Sequence, residues 1–233
     1  MTHGAAWARR RARTPQRGAM WRALVGAMRL GIALAAVSGC APAQVAPSGG
    51  VQPAAQDALP PAGFGSLRQD DIAVKLQNLG LSIKAIPMDE SVLRLLAPDS
   101  YRALHGLRES RAKELAGIAA RTGMAVQTWY VTFYTVEQGE ARFDATDLVL
   151  RGAGRDYRPL EMLALTPAFG NGRVAQRQQQ QAIYVFDASI DLSQPLTLLA
   201  AGQQSTAWTD ALQRLDAERA AVWSRASAAQ KKP

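Results

Sequence analysis

The 233 residues contain a single cysteine, Cys40, and two histidines, His3 and His105. With one cysteine the chain forms no internal disulfide, so an exported domain built from it relies on its hydrophobic core. The same scarcity argues against zinc, whose sites need several nitrogen and sulfur ligands. His105 sits beside Gly106 in a helical pattern, and no Gly-x-Ser-x-Gly turn accompanies it. A histidine-based triad is not expected, and His105 reads as a surface or half-buried helix residue. Gly152 and Gly154 lack the following helix and downstream spacing of a nucleotide fingerprint. No metal, cofactor or catalytic residue is therefore expected. Long apolar runs are missing too: Arg29 interrupts the stretch that ends in Leu30–Val37, well short of the about 20 residues a spanning helix needs.

Acidic residues are absent from the first 39 positions, which instead carry Arg9, Arg10, Arg11, Arg13, Arg17, Arg22 and Arg29. A basic region, the apolar run Leu30–Val37 and then small residues follow one another in the order of an export signal. The residues Val37, Ser38, Gly39 and Cys40 resemble the lipobox of the bacterial lipoproteins. That resemblance implies removal of residues 1–39 as a signal peptide, diacylglycerol on the Cys40 thiol, and usually a further acyl chain on the new amino terminus. Each buried methylene adds about 0.8 kcal/mol, so two or three chains hold a protein on a bilayer for long periods. Ala41 stands where a retention signal would carry Asp, which leans toward the periplasmic face of an outer membrane in a cell that has one.

The charge balance changes once that signal is set aside. The whole chain has 27 basic and 19 acidic residues, and the seven arginines of residues 1–39 account for most of the excess, leaving 20 against 19. A near-neutral mature chain gives no basic stripe for nucleic acid, and none is expected as a partner. The expected partners are the membrane, through lipid on Cys40, and another envelope protein. Residues 40–66 are rich in Ala, Pro, Gly, Gln and Ser, with Asp57 as their one charge. Such a composition buries too little apolar surface to offset ordering, so it reads as a tether extended at about 3.1 Å per residue. The other reading is an arm packed on the domain, with Phe64 as its docking residue.

Residues 67–125 read as mainly helical. A helix is expected from Asp70 and Asp71 through Ile72, Val74, Leu76 and Leu79 to Gly80, followed by a short strand Leu81–Ile86 stopped by Pro87. Asp89 caps a short helix, and Pro98 opens a longer one that ends at Gly123. After Gly123 the apolar period changes from near 3.6 to 2. Trp129, Val131 and Phe133 face one way, with Thr128, Tyr130, Thr132 and Tyr134 facing the other. Further strands are expected at Asp147–Leu150, Leu160–Leu165, Ala182–Phe186 and Leu196–Ala200, between Gly, Asp, Asn and Pro turn signals. Residues 126–204 thus read as a β-sandwich. Residues 205–233 read as a C-terminal amphipathic helix and tail, with Trp208, Leu212, Leu215, Val222 and Trp223 on one stripe.

The succession Phe143, Asp144, Asp147, then Tyr157, Arg158, Pro159, Leu160, then Leu165, Thr166, Pro167, and later Ile183, Tyr184, Phe186, Asp187 resembles the telokin-like, immunoglobulin-like domains of bacterial envelope proteins. The fold class expected is α+β: an antiparallel immunoglobulin-like β-sandwich preceded by a small helical region and followed by the amphipathic helix. That resemblance implies a domain used for binding or assembly and brings no catalytic residues with it.

Three functional readings follow. The first is a noncatalytic, lipid-anchored envelope protein acting as a protein-binding or assembly module. The second is a binding module for a small polar ligand or cell-wall glycan, with Tyr130, Tyr134, Gln178 and Gln180 as the binding residues, because the run Gln176–Gln181 brings many amide donors and acceptors to the tyrosine-bearing strand. The third is a carboxylate-dependent hydrolase. Asp144, Asp147, Asp156, Asp187 and Asp191 lie near turns and could converge on calcium. Asp is equally favoured in turns because its side chain bonds the nearby backbone.

Overall fold

Antiparallel pairing around one long strand organises the chain. The computed structural model describes residues 59–78, 80–135 and 138–231. Its elements begin with a single turn α1 (Gln69–Ile72), strands β1 (Val74–Asn78) and β2 (Leu81–Pro87), and helices α2 (Glu90–Leu93), α3 (Pro98–Ser110) and α4 (Ala112–Thr122). Strands β3 (Val126–Thr135), β4 (Glu140–Arg142), β5 (Val149–Gly152), β6 (Arg155–Tyr157), β7 (Glu161–Ala164) and β8 (Arg173–Ala175) come next. The chain then forms β9 (Gln179–Asp187), β10 (Leu196–Ala200), β11 (Gln203–Ser205) and the long helix α5 (Trp208–Gln230). The result is an α+β fold with antiparallel sheets and a C-terminal helix.

The larger sheet runs β1-β2-β3-β9-β7, the second β11-β10-β5-β6, and β4 pairs with β8 as a separate ribbon. β3 is central, pairing with β2 from Leu81↔Thr135 to Pro87↔Trp129 and with β9 from Val126↔Asp187 to Tyr134↔Gln179. This corrects the division at residue 126. Two strands of the larger sheet precede that position, so the mainly helical residues 67–125 do not form a unit separate from the sheet. The helix expected over Asp70–Leu79 is confined to α1. Ile72 and Leu76 fit a helical period, but Val74 and Leu76 also alternate with Lys75 and Gln77. Pairing with β2 buries the first two and exposes Lys75. A short apolar run that fits both periods is decided by such long-range pairing.

Local capping chemistry behaves as the residues dictate. Asp89 accepts from the Ser91 N–H at 2.9 Å at the start of α2, Pro98 opens α3, and Gly123, at φ 67°, closes α4 in the left-handed region. The one long helix expected between them is two. Arg111, at φ −110° and ψ 8°, leaves the helical region, and the Ser110 hydroxyl takes the Leu107 carbonyl at 2.6 Å, a side-chain competitor for the backbone ladder.

One hydrophobic core joins these layers. Trp129 of β3 meets Trp208 of α5 with ring centroids 5.9 Å apart, and Phe133 stacks on Phe143 at 4.2 Å. Leu148, Leu150, Leu196 and Leu198 from the second sheet and its approach belong to the same core. Along α5, Trp208, Ala211, Leu215, Glu218, Val222 and Ala226 are buried, a run of three- and four-residue steps. Trp223 departs from the expected stripe and is 38% exposed, because Val222 and Ala226 already fill the inner face.

The tether expected over residues 40–66 also needs correction at its end. Residues 59–66 are packed on the domain. The Ser66 N–H and hydroxyl donate to Glu218 Oε1 at 2.7 and 2.9 Å. Arg225 donates to the same oxygen at 2.6 Å and to the Phe64 carbonyl at 2.5 Å, and Arg94 reaches the Pro60 carbonyl at 3.3 Å. Phe64 packs against the core, and Gly65 is buried on the backbone of Leu95 and Leu96. The sparse apolar content of this segment is sufficient because a groove with bonded partners receives it. The expected signal peptide over residues 1–39, the expected lipidation site Cys40 and the rest of the expected tether, to residue 58, lie outside the described residues.

Candidate functional site

The two faces of β3 have different fates. Trp129, Val131 and Phe133 share their face with Ala182, Tyr184 and Phe186 of β9 and are buried in the core. On the opposite face, α4 lies at the Val126 end, where Leu115, Ala116 and Ala119 line a small pocket of about 240 Å³ with Val126 and Thr128. The other end of this face is open. There Tyr130, Thr132 and Tyr134 line a groove of about 610 Å³ with Lys75 of β1, Lys84 of β2, and Gln179 and Gln181 of β9. Gln69 and Asp70 of α1 form one wall, and Arg177 and Gln178 contribute from the turn before β9.

Tyr130, Tyr134 and Gln178 are therefore brought together, and Gln180 is not. Its register position opposite Phe133 turns it to the core side, where it is 4% exposed and accepts from the Thr166 hydroxyl at 2.6 Å. Arg177 adopts φ 62° and the Gln178 N–H closes the turn on the Ala175 carbonyl at 3.0 Å. The alternation of β9 starts only at Gln179, so Gln179 and Gln181 face the groove from this strand and Gln180 does not.

The groove's cations escape a reading of the sequence that takes residues 70–79 as helix. Lys75 lies directly opposite Lys84 in the β1–β2 pairing, an arrangement of like charges that is unfavourable by itself. Asp70 bridges them, 2.6 Å from Lys84 Nζ and 3.6 Å from Lys75 Nζ. The hydrogen bond from Lys84 and the charges of both lysines hold the Asp70 carboxyl below its ordinary pKa, against a smaller opposing effect of burial. Asp70 is positioned by its neighbour: Asp71 accepts from the Arg68 N–H at 2.8 Å, and its carbonyl accepts from Arg214 of α5 at 2.7 Å.

The remaining candidate groups are engaged elsewhere. His105 on α3 bonds Glu90 Oε1 through Nδ1 at 2.7 Å and stacks on Tyr101 at 5.1 Å, while Arg94 donates to the other Glu90 oxygen at 2.9 Å. Burial pushes the Glu90 carboxyl up, but Arg94 and His105 outweigh it and leave the pKa lowered. The turn carboxylates are occupied by their own neighbourhoods. Asp144, Asp187 and Asp191 accept from the N–H groups of Thr146, Ser189 and Ser193, Asp147 accepts from the Ala201 N–H, and Asp156 pairs with Arg151 at 2.5 Å. Among the described residues no group of three or more His, Cys, Asp or Glu gathers as a metal site, and no helix is long and apolar enough to cross a membrane. No protein-family model matches the chain, no curated protein matches its sequence, and no solved structure matches its fold.

Proposed function

We propose that the chain is a noncatalytic, lipid-anchored envelope protein that binds a polar ligand of the saccharide type in the groove over β3. The observation that carries this reading is the groove itself, with two half-buried tyrosines, glutamine amides and lysines on an open stretch of the larger sheet. Tyrosine combines a flat apolar ring with a polar tip, and amide side chains both donate and accept, which together suit hydroxyl-rich rings. Antiparallel sheets that share one core support the immunoglobulin-like reading, while the strand order β1-β2-β3-β9-β7 and the packing of α5 depart from it. Exposed Trp223 on α5 supports the protein-docking reading as a second role.

The anchor and the groove are tested separately. Intact-mass analysis of the native protein is expected to find residues 1–39 removed and acyl chains on Cys40, and Cys40→Ser is expected to leave the membrane fraction. A free Cys40 thiol with residues 1–39 still attached would remove the anchor. Titration with soluble cell-wall glycan fragments is expected to show binding that Tyr130→Ala and Tyr134→Ala each weaken about tenfold, which corresponds to roughly 1.4 kcal/mol. Unchanged affinity in both variants would show that the groove is not the site.

A further inference from the structure

We infer that the groove is built for an acidic saccharide, one bearing carboxylate or phosphate groups, whose anion displaces Asp70 from Lys75 and Lys84. The inference rests on the saccharide-binding reading above and names the ligand's charge. Three cations, Lys75, Lys84 and Arg177, line the groove against one carboxylate, Asp70. The register sets Lys75 and Lys84 opposite each other on the groove face, and like charges so placed repel unless an anion sits between them. Asp70 is that anion, and it is a poor permanent one. Its side chain is 59% exposed, and it bonds the lysines from outside the sheet, from a single turn of helix. Exposed ion pairs of this kind are weak and are readily exchanged for another anion.

The remaining geometry fits an oligomer rather than a lone ion. Tyr130 and Tyr134 are four residues apart on one strand, about 13 Å at the usual strand rise, so their rings flank more than one saccharide unit. Thr132 lies between them, directly opposite Lys84, which places an ammonium midway along that span. Arg177 makes no ion pair among the described residues. It is held at φ 62°, a conformation uncommon for a residue with a side chain, at the turn leading into β9. A second acidic group of the same ligand would find its partner there.

The test uses the mature chain with tetragalacturonate, its full methyl ester, and phosphorylated maltotetraose. Tetragalacturonate or the phosphorylated sugar is expected to bind at least tenfold more tightly than the neutral ester, and whichever binds identifies the acid. Asp70→Asn is expected to raise the preference for the acidic ligand over the ester about tenfold, whereas Lys84→Ala abolishes the preference. Equal binding of acid and ester, with no response to Asp70→Asn, overturns the inference while leaving a neutral saccharide site in place. Binding of no saccharide overturns both the inference and the reading beneath it. Capture by phosphatidylglycerol vesicles without saccharide binding assigns the lysines to the bilayer and overturns it as well. Circular dichroism of each variant separates these outcomes from loss of fold, and Lys75→Ala gives a second route to the same charge change.

Discussion

Gly65→Ala is expected to release the arm of residues 59–67 and to destabilise the domain by about 3 kcal/mol, the loss of several hydrogen bonds worth roughly 1 kcal/mol each. A Cβ on Gly65 would lie inside van der Waals contact with the Leu95 carbonyl group and the Leu96 oxygen. These are backbone atoms in the turn that follows α2 and cannot turn aside as a side chain would. Either the Leu95–Leu96 backbone shifts or the arm leaves. If the arm leaves, the Leu67 N–H loses the Leu95 carbonyl at 3.2 Å and the Ala97 N–H loses Leu67 at 2.8 Å. Ser66 also withdraws from Glu218, leaving a buried carboxylate with Arg225 alone. At about 2–4 °C per kcal/mol for a domain of this size, the midpoint falls by roughly 6–12 °C. Hydrogen exchange at Leu67 and Ala97 and proteolysis near Phe64 would rise together. An unchanged midpoint with full protection at both amides would show that the backbone yields instead. Gly106→Ala is the internal contrast. It lies in α3 with open space where a Cβ would go, and it is expected to stabilise by up to about 1 kcal/mol through helix propensity.

The consequence reaches the proposed function through geometry. With lipid on Cys40, as proposed, the docked arm holds residues 59–67 against the domain. Releasing these nine residues adds up to about 28 Å of reach in an extended chain. A variant that keeps its groove but frees its arm therefore separates ligand affinity from the height at which the domain is presented.

Legibility in the sequence followed the range of the interactions that decide each element. Trp129, Val131 and Phe133 announce β3 because their alternation is local and strong, and Asp89, Pro98 and Gly123 mark helix ends through their own backbone chemistry. β1 was not legible, since only its pairing with β2 distinguishes a strand from a second turn of helix. The three-residue strands β4, β6, β8 and β11 carry too few alternating residues to signal themselves. For the site, Tyr130 and Tyr134 follow from the period of β3, but Lys75, Lys84 and Asp70 become neighbours only when the first hairpin and α1 are in place. Glu218 illustrates the same limit: a charge in the middle of a helix reads as solvent-facing until Ser66, 152 residues away, arrives to bond it.

Trp208→Ala is expected to give the largest loss of stability, about 3–5 kcal/mol, the range for deleting a large aromatic side chain from a packed core. Trp208 is fully buried at the start of α5 and its ring meets Trp129 on the central strand, so its removal opens a cavity where the helix is fixed to the sheet. Trp208→Phe separates packing from polarity. The Trp208 Nε1–H is buried and makes no hydrogen bond among the described residues, and an unpaired buried donor costs about 1–3 kcal/mol. Replacing the indole by a phenyl ring removes that penalty along with part of the volume, and the net loss is expected to stay within about 1.5 kcal/mol. Trp129 gives the opposite balance. Its Nε1–H donates to Gln127 Oε1 at 3.5 Å, and Gln127 Nε2 donates in turn to the Ile190 carbonyl at 3.4 Å. Trp129→Phe therefore loses volume and strands a buried amide oxygen, and it should cost more than Trp208→Phe. Urea denaturation of the three variants measures the order. Equal costs for the two phenylalanine substitutions would show that the Trp208 indole is hydrogen-bonded in solution, and a Trp208→Ala loss below about 2 kcal/mol would show that α5 repacks against β3 without it.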